Sequence, residues 1–279
     1  MYKNLTAMIK FSVCMSVYKN DSPLFLEQAI DSVVKQSIQP NEVVLVIDGP
    51  VSDALREKVM DKQKEFEIIH PIFLPENKGL GNALKVAVEN AKYDVIARMD
   101  SDDISLPGRF EKQVRFMEEH PEVDIFGGQI TEFVDSSDNI VGQRIVPTNN
   151  EGIINYMKSR CAFNHMTVMF RKQAVLDAGN YKDWFWNEDY YLWIRMMLND
   201  CKFANLPDVL VNVRSGLDQY ARRGGVKYFR SEAGIQRLML DNKIISWPRY
   251  AYNVFVRWCI QVVMPNWLRG FIFRTLFRK

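Results

Sequence analysis

Short apolar runs alternate with longer segments of helical spacing through the first hundred residues. Phe11–Val17 (FSVCMSV) is too short and too uniformly apolar for a helix and predicts a buried parallel strand. Over 24–38 the apolar positions Leu26, Ala29, Ile30, Val33 and Val34 recur on one helix face, and Gln39-Pro40-Asn41 stops the helix. Residues 43–47 form a second strand, closed by Asp48-Gly49-Pro50. The alternation continues with a helix over 53–65, a strand over 68–74, a helix over 79–91 and a strand over 95–99. Strand-helix-strand crossovers are right-handed and build an open, mostly parallel α/β sheet whose ligands gather beyond the carboxyl ends of the strands. Tyr18, Asp48, Asn77 and Asp100 each stand at such an end.

The second half is less regular. A helix is expected over 106–119, a strand over 125–134, and a hairpin through Ser136-Ser137-Asp138-Asn139. A polar helix over 150–159, a strand over 167–170 and a short helix over 172–178 follow. Glu188-Asp189 open an apolar helix to about residue 198, strands follow over 203–213, and a loop rich in Gly and Arg spans 215–225. The tail, 247–279, interleaves Trp247, Tyr252, Phe255, Trp258, Trp267, Phe271 and Phe273 with Arg249, Arg257, Arg269, Arg274, Arg278 and Lys279, and no acid follows Asp241. Its longest uncharged stretch, 258–268, is broken by Pro265 and is too short to span a bilayer. Aromatic residues with a basic face fit segments lying in the headgroup region of an anionic membrane, the alternative being a C-terminal helix packed on the domain. The expected division is a catalytic domain over 1–225 and a helical membrane-associating segment over 226–279.

A chain of 279 residues can bury a full core, and its formal charge of +2 gives no reason to expect nucleic acid as a partner. Cys14, Cys161, Cys201 and Cys259 are far apart, with no C-x-x-C pair, which argues against a zinc site or a disulfide framework and for a reducing compartment. No secretory signal precedes the first strand.

The candidate chemistry begins at 94–103, where an apolar strand runs into Asp100, Asp102 and Asp103. Acids this close repel, and a fold tolerates them best with a positive partner such as a divalent metal holding a phosphate; a solvated acidic turn is the alternative. Asn77, Gly79 and Gly81 precede a helix, where glycines let the backbone approach an anion and the helix terminus favours it; a simple N-cap loop is equally economical.

SVCMSVYKN, VVLVIDGP, ENKGLGNAL, RMDSDD and WNEDYYLWIR, in this order and spacing, resemble the family 2 glycosyltransferases of the GT-A fold, over roughly residues 11–213. The resemblance implies that Asp100 and Asp102, as the D-x-D, hold the donor ribose and Mn²⁺ or Mg²⁺, with Asp103 supporting the turn. It implies that Asp48 reads the nucleobase of a UDP-sugar, that Tyr18 packs on the base, and that Glu188-Asp189 are the catalytic pair with Asp189 as base. Two departures stand out: Ser16-Val17-Tyr18-Lys19 replaces the usual P-V-Y-N, and Ile47-Asp48-Gly49-Pro50 replaces D-D-G-S. Asn77, Gly79 and Arg98 would lie along the donor, Arg98 either touching it or pairing with the acids. Arg214, Arg222 and Arg223 would meet the donor or a lipid diphosphate, and His165 and Arg171 would stand beside the acceptor. Members most like this chain build bacterial surface polysaccharides, O-antigen, capsule or exopolysaccharide. The reading implied is an inverting, metal-dependent hexosyltransferase, with galactose or glucose favoured and GlcNAc possible. The acceptor would be a polyprenyl-diphosphate-linked saccharide at the cytoplasmic, inner face of a bacterial membrane. Its rivals are a soluble or protein acceptor and a non-catalytic nucleotide-sugar-binding module.

Overall fold

The computed structural model describes residues 9–216 and 224–264. Strands β1 (Phe11–Val17), β2 (Glu42–Ile47), β3 (Ile69–Phe73) and β4 (Val95–Arg98) lie in the order β3-β2-β1-β4, all parallel. Alternate residues of these strands feed two cores. Val13, Met15, Val43 and Leu45 pack with helices α1 (Pro23–Val34) and α2 (Asp53–Glu65), whereas Cys14, Val44 and Val46 pack with α3 (Leu80–Asn90) on the opposite face. Burial on both faces is why these strands read as continuous apolar runs rather than alternating ones.

The second half adds β5 (Ile104–Ser105), α4 (Arg109–Glu119), β6 (Ile125–Phe133), β7 (Ile140–Arg144), α5 (Asn150–Met157), β8 (Met169–Arg171), α6 (Lys172–Asp177), α7 (Glu188–Leu198), β9 (Phe203–Arg214), α8 (Val226–Asp241) and α9 (Trp247–Trp258). The sheet continues β4-β8-β6-β9-β5, with β7 on β6. Because β8 is antiparallel to both β4 and β6, and β9 is parallel to β6, six of the nine strands share one direction. Strands β5, β7 and β8 run against them.

Several boundaries move. Helix α1 ends at Val34, where the Gln36 side chain turns in to donate to the Ser32 and Leu106 carbonyls. Helix α4 starts at Arg109, since Pro107 and a left-handed Gly108 hold the chain out of the helix. One twelve-residue strand, β9, replaces the strands expected over 203–213. Across the expected division at 225, α8 buries Ile235 and Met239, and the turn after it buries Ile245, in the same core cluster as α3 and α7. Helix α8 is therefore part of the catalytic domain's packing. No described helix is long and apolar enough to cross a membrane.

Candidate active site

The carboxyl ends of β1, β2 and β4 meet at one edge. After β1, the Tyr18 amide donates to Asp21 Oδ2 at 3.0 Å, and the Ser101 hydroxyl donates to the same oxygen at 2.9 Å. Asp21 thus fastens the first loop to the acid turn, leaving Tyr18 38% exposed. After β2, Asp48 is turned inward: Oδ1 accepts from the Lys78 amide at 2.9 Å and Oδ2 from the Gly79 amide at 3.0 Å. The Asn77 amide group donates to the Asp48 carbonyl at 3.0 Å, closing the loop onto the strand. Gly49 makes this closure possible: its φ is +86°, and a Cβ there would stand 2.4 Å from the Asn77 nitrogen. Gly79, with φ +88°, is the residue before α3.

Asp100, Asp102 and Asp103 bring one carboxylate oxygen each within 4.8 Å of one another. Burial and then the Asp100 and Asp21 charges push Asp102 up to about 6. Burial, Asp100 and Asp102 raise Asp103 well above the ordinary carboxylate range, although Oδ1 accepts from the Arg214 amide at 2.8 Å. Three hard oxygen donors this short of positive charge fit a divalent cation such as Mn²⁺ or Mg²⁺, which Asp100 and Asp102 would hold.

Arg98 is the local cation. It is buried, its Nη2 is paired with Asp100, and its Nε and Nη1 have no partner among the described residues. Beneath it a second buried arginine, Arg109, donates to the Arg98 carbonyl at 2.7 Å. Glu188 and Asp189 open α7. Burial and the Asp189 charge push Glu188 up to about 8, and burial raises Asp189. The Arg98 charge lowers both, as it does Asp102 and Asp103, so one guanidinium stands within electrostatic reach of both acid groups. Asp189 Oδ1 accepts from the Tyr190 amide at 2.6 Å, and Oδ2 lies 3.6 Å from the Cys161 thiol. The start of α3 reaches the same place, since a Cβ on Gly81 would meet the Lys182 carbonyl oxygen at 2.7 Å and Glu188 Cβ at 3.2 Å.

The fold therefore gathers Tyr18, Asp48, Asn77, Gly79, Arg98, Asp100, Asp102, Glu188 and Asp189 around the ends of β1, β2 and β4. Other expectations change. Arg214 is spent locally, with Nε donating to the Asp102 carbonyl at 3.0 Å and Nη2 to Gln28 at 2.7 Å. Arg171 pairs with Val95, the first residue of β4, and bonds the Val123 and Pro121 carbonyls, at the opposite end of the strand from Asp100. His165 Nε2 is 2.9 Å from the Tyr181 hydroxyl, and burial and Arg98 keep its ring neutral. Arg222 and Arg223 lie outside the described residues. Asp21 and Cys161 were not anticipated. Asp21 carried one sequence signal, its place just beyond a strand end; Cys161 carried none.

An open α/β sheet with an acid turn and a second acid pair at its carboxyl edge is the architecture of the GT-A fold. The chain belongs to glycosyl transferase family 2, whose model matches residues 12–185. It is 40% identical to the amylovoran biosynthesis glycosyltransferase AmsE of Erwinia amylovora, over 88% of this chain and 92% of that one. It is 34% identical, over 97% of both chains, to an Escherichia coli UDP-Gal:alpha-D-GlcNAc-diphosphoundecaprenol beta-1,3-galactosyltransferase. The structure of S. aureus TarS 1-349 in complex with UDP-GlcNAc shares the fold at a TM-score of 0.67 and 18% identity, covering 95% of this chain and 81% of that one.

Proposed function

We propose that this glycosyltransferase moves a hexose, galactose or glucose before GlcNAc, from a UDP-sugar to a polyprenyl-diphosphate-linked saccharide, with inversion, at the inner face of a bacterial membrane. The observation that carries the reading is that the acid cluster after β4 and the acid pair opening α7 both come within electrostatic reach of the buried Arg98, one to serve the departing diphosphate and one the incoming hydroxyl. The UDP-Gal donor and lipid-diphosphate acceptor in the name of the E. coli relative support the substrate classes.

Tyr18 lies against the base, and Asp48 shapes the pocket through the 77–79 loop while its remaining lone pairs meet the nucleobase imide. With its Lys78 and Gly79 amides held by Asp48, the 77–79 loop borders the donor at the start of α3, where a helix terminus favours phosphate. Arg98 pairs with Asp100 and aligns it. Asp100 and Asp102 would hold a divalent cation, which would supply positive charge against the leaving diphosphate. Asp189 accepts the proton of the acceptor hydroxyl as that oxygen attacks C1 from the face opposite the diphosphate, and Glu188 stays protonated beside it. Arg222 and Arg223 serve a diphosphate of donor or acceptor.

The test is a donor screen against a synthetic GlcNAc-diphosphate-lipid, with the product linkage read by NMR. Transfer of galactose or glucose with inverted configuration is expected, and no transfer from any UDP-sugar would reject the reading. In calorimetry, Asp102→Ala is expected to abolish the Mn²⁺-dependent part of UDP affinity; an unchanged affinity would remove the metal role.

A further inference from the structure

We propose that the outward face of α9 is a lipid-insertion surface seating the protein on an anionic bilayer, while the arginines of α9 serve the domain. In water, a helix packed on a domain buries its apolar stripe and shows its polar one. Helix α9 is reversed. Asn253 and, just past the helix, Gln261 are 4% and 6% exposed, whereas Tyr252, Phe255, Trp258 and Val263 are 66%, 62%, 44% and 58% exposed.

The inward polar row is engaged with the domain. Asn253 Nδ2 donates to the Lys158 carbonyl at 3.0 Å and to Gln236 Oε1 at 2.8 Å. Arg257 Nε donates to Glu232 Oε2 at 3.1 Å and Nη2 to the Ser159 carbonyl, while Gln261 donates to the same Glu232 oxygen. Arg249 reaches the Ser159 hydroxyl at 2.7 Å. The alternation of arginines and aromatics in the sequence expects basic groups at the lipid; here Arg249 and Arg257 clamp the helix so that its aromatics point away.

Three observations choose lipid as the occupant. The exposed side chains are the tryptophan, tyrosine and phenylalanine types that sit at the headgroup boundary. Apart from Arg249 and Arg257, the chain from residue 242 to 279 carries five Lys and Arg and no Asp or Glu, which complements an anionic surface. The third, which rests on the function proposed above, is that the acceptor is itself lipid-linked. The surface is also tied to the chemistry. Ser231 of α8 accepts from the Trp184 indole at its carbonyl and from Asn187 Nδ2 at its hydroxyl, and Asn187 is the residue before α7. Helix α8 thereby links the lipid-facing helix to the segment that presents Asp189, fixing the height of the base above the headgroups.

The experiment is sedimentation of the full chain with vesicles of phosphatidylethanolamine and phosphatidylglycerol, without any sugar donor, so that a failed donor screen leaves its outcome intact. The parent is expected to sediment, and Phe255→Glu/Trp258→Glu to bind at least roughly tenfold more weakly, with Tm and UDP affinity unchanged. The milder Phe255→Ser/Trp258→Gln is expected to fall between, and is read if the charged variant does not fold. Parent-like sedimentation of a folded variant would overturn the proposal. So would a parent that ignores vesicles and forms a dimer that the same substitutions dissociate, because a second copy would then be the occupant.

Discussion

Glu188 and Asp189 are neighbours with opposite tasks, and the physics that separates them is open to test. A glutamate pushed up to about 8 is protonated at neutral pH, and glutamine is the isostere of that form. Glu188→Gln is therefore expected to retain transfer within about tenfold, whereas Asp189→Asn is expected to lose roughly 10²- to 10⁴-fold, the usual worth of a general base. Radiolabelled sugar transfer at pH 7 checks both. Linkage gives the sign of a second effect. A carboxyl with a folded value above its ordinary 4.5 binds more protons folded than unfolded between about 4.5 and 8, so its burden on stability grows as pH rises through that window. The Tm of Glu188→Gln should consequently gain on the parent from pH 5 to pH 9, as measured by scanning fluorimetry; a constant difference would remove the assigned shift. At this scale the acids of the site were legible because several sit in motifs at strand and helix ends. Asp21 and Cys161 were not, because a hydrogen bond to Ser101 or a thiol 3.6 Å from Asp189 depends on which loops the fold brings together.

Among the elements, the loops that shape the donor edge depend on backbone geometry more than on side-chain type. Gly49 combines a left-handed φ with a 2.4 Å approach to the Asn77 nitrogen, so Gly49→Ala meets both a conformational cost of about 1–2 kcal/mol and a clash with backbone. The expected result is a Tm lower by several degrees, on the order of 2–4 °C per kcal/mol, together with weaker UDP binding as the 77–79 loop shifts. Helical and strand periodicity located most elements, because α1 to α3 and β1 to β4 each present an apolar stripe or run to a core. It missed β5, two residues long, whose existence depends on a partner more than a hundred residues away. It also gave α8 no separate outline, although Ile235 and Met239 are among the fully buried residues.

For the whole molecule, that burial makes the C-terminal helices a load on the catalytic core rather than an appendage. Ile235→Ala is expected to cost about 2–4 kcal/mol in a single urea transition; an unchanged main transition would mean that 226–279 unfolds by itself. Sheet order was the least legible level, since β8, β6 and β9 are placed by pairings that no local pattern announces. That interleaving has a consequence for biosynthesis. The strands carrying Asp48 and Asp100 arrive in the first half of the chain and pair through local crossovers, whereas β8, which closes the free edge of β4, and α7 are translated much later. A nascent chain leaving the ribosome amino end first is expected to assemble its donor edge before its base exists. Arrested chains with residues to about 120 clear of the ribosome should then already protect β1 to β3 from protease, with β4 the strand still open to attack.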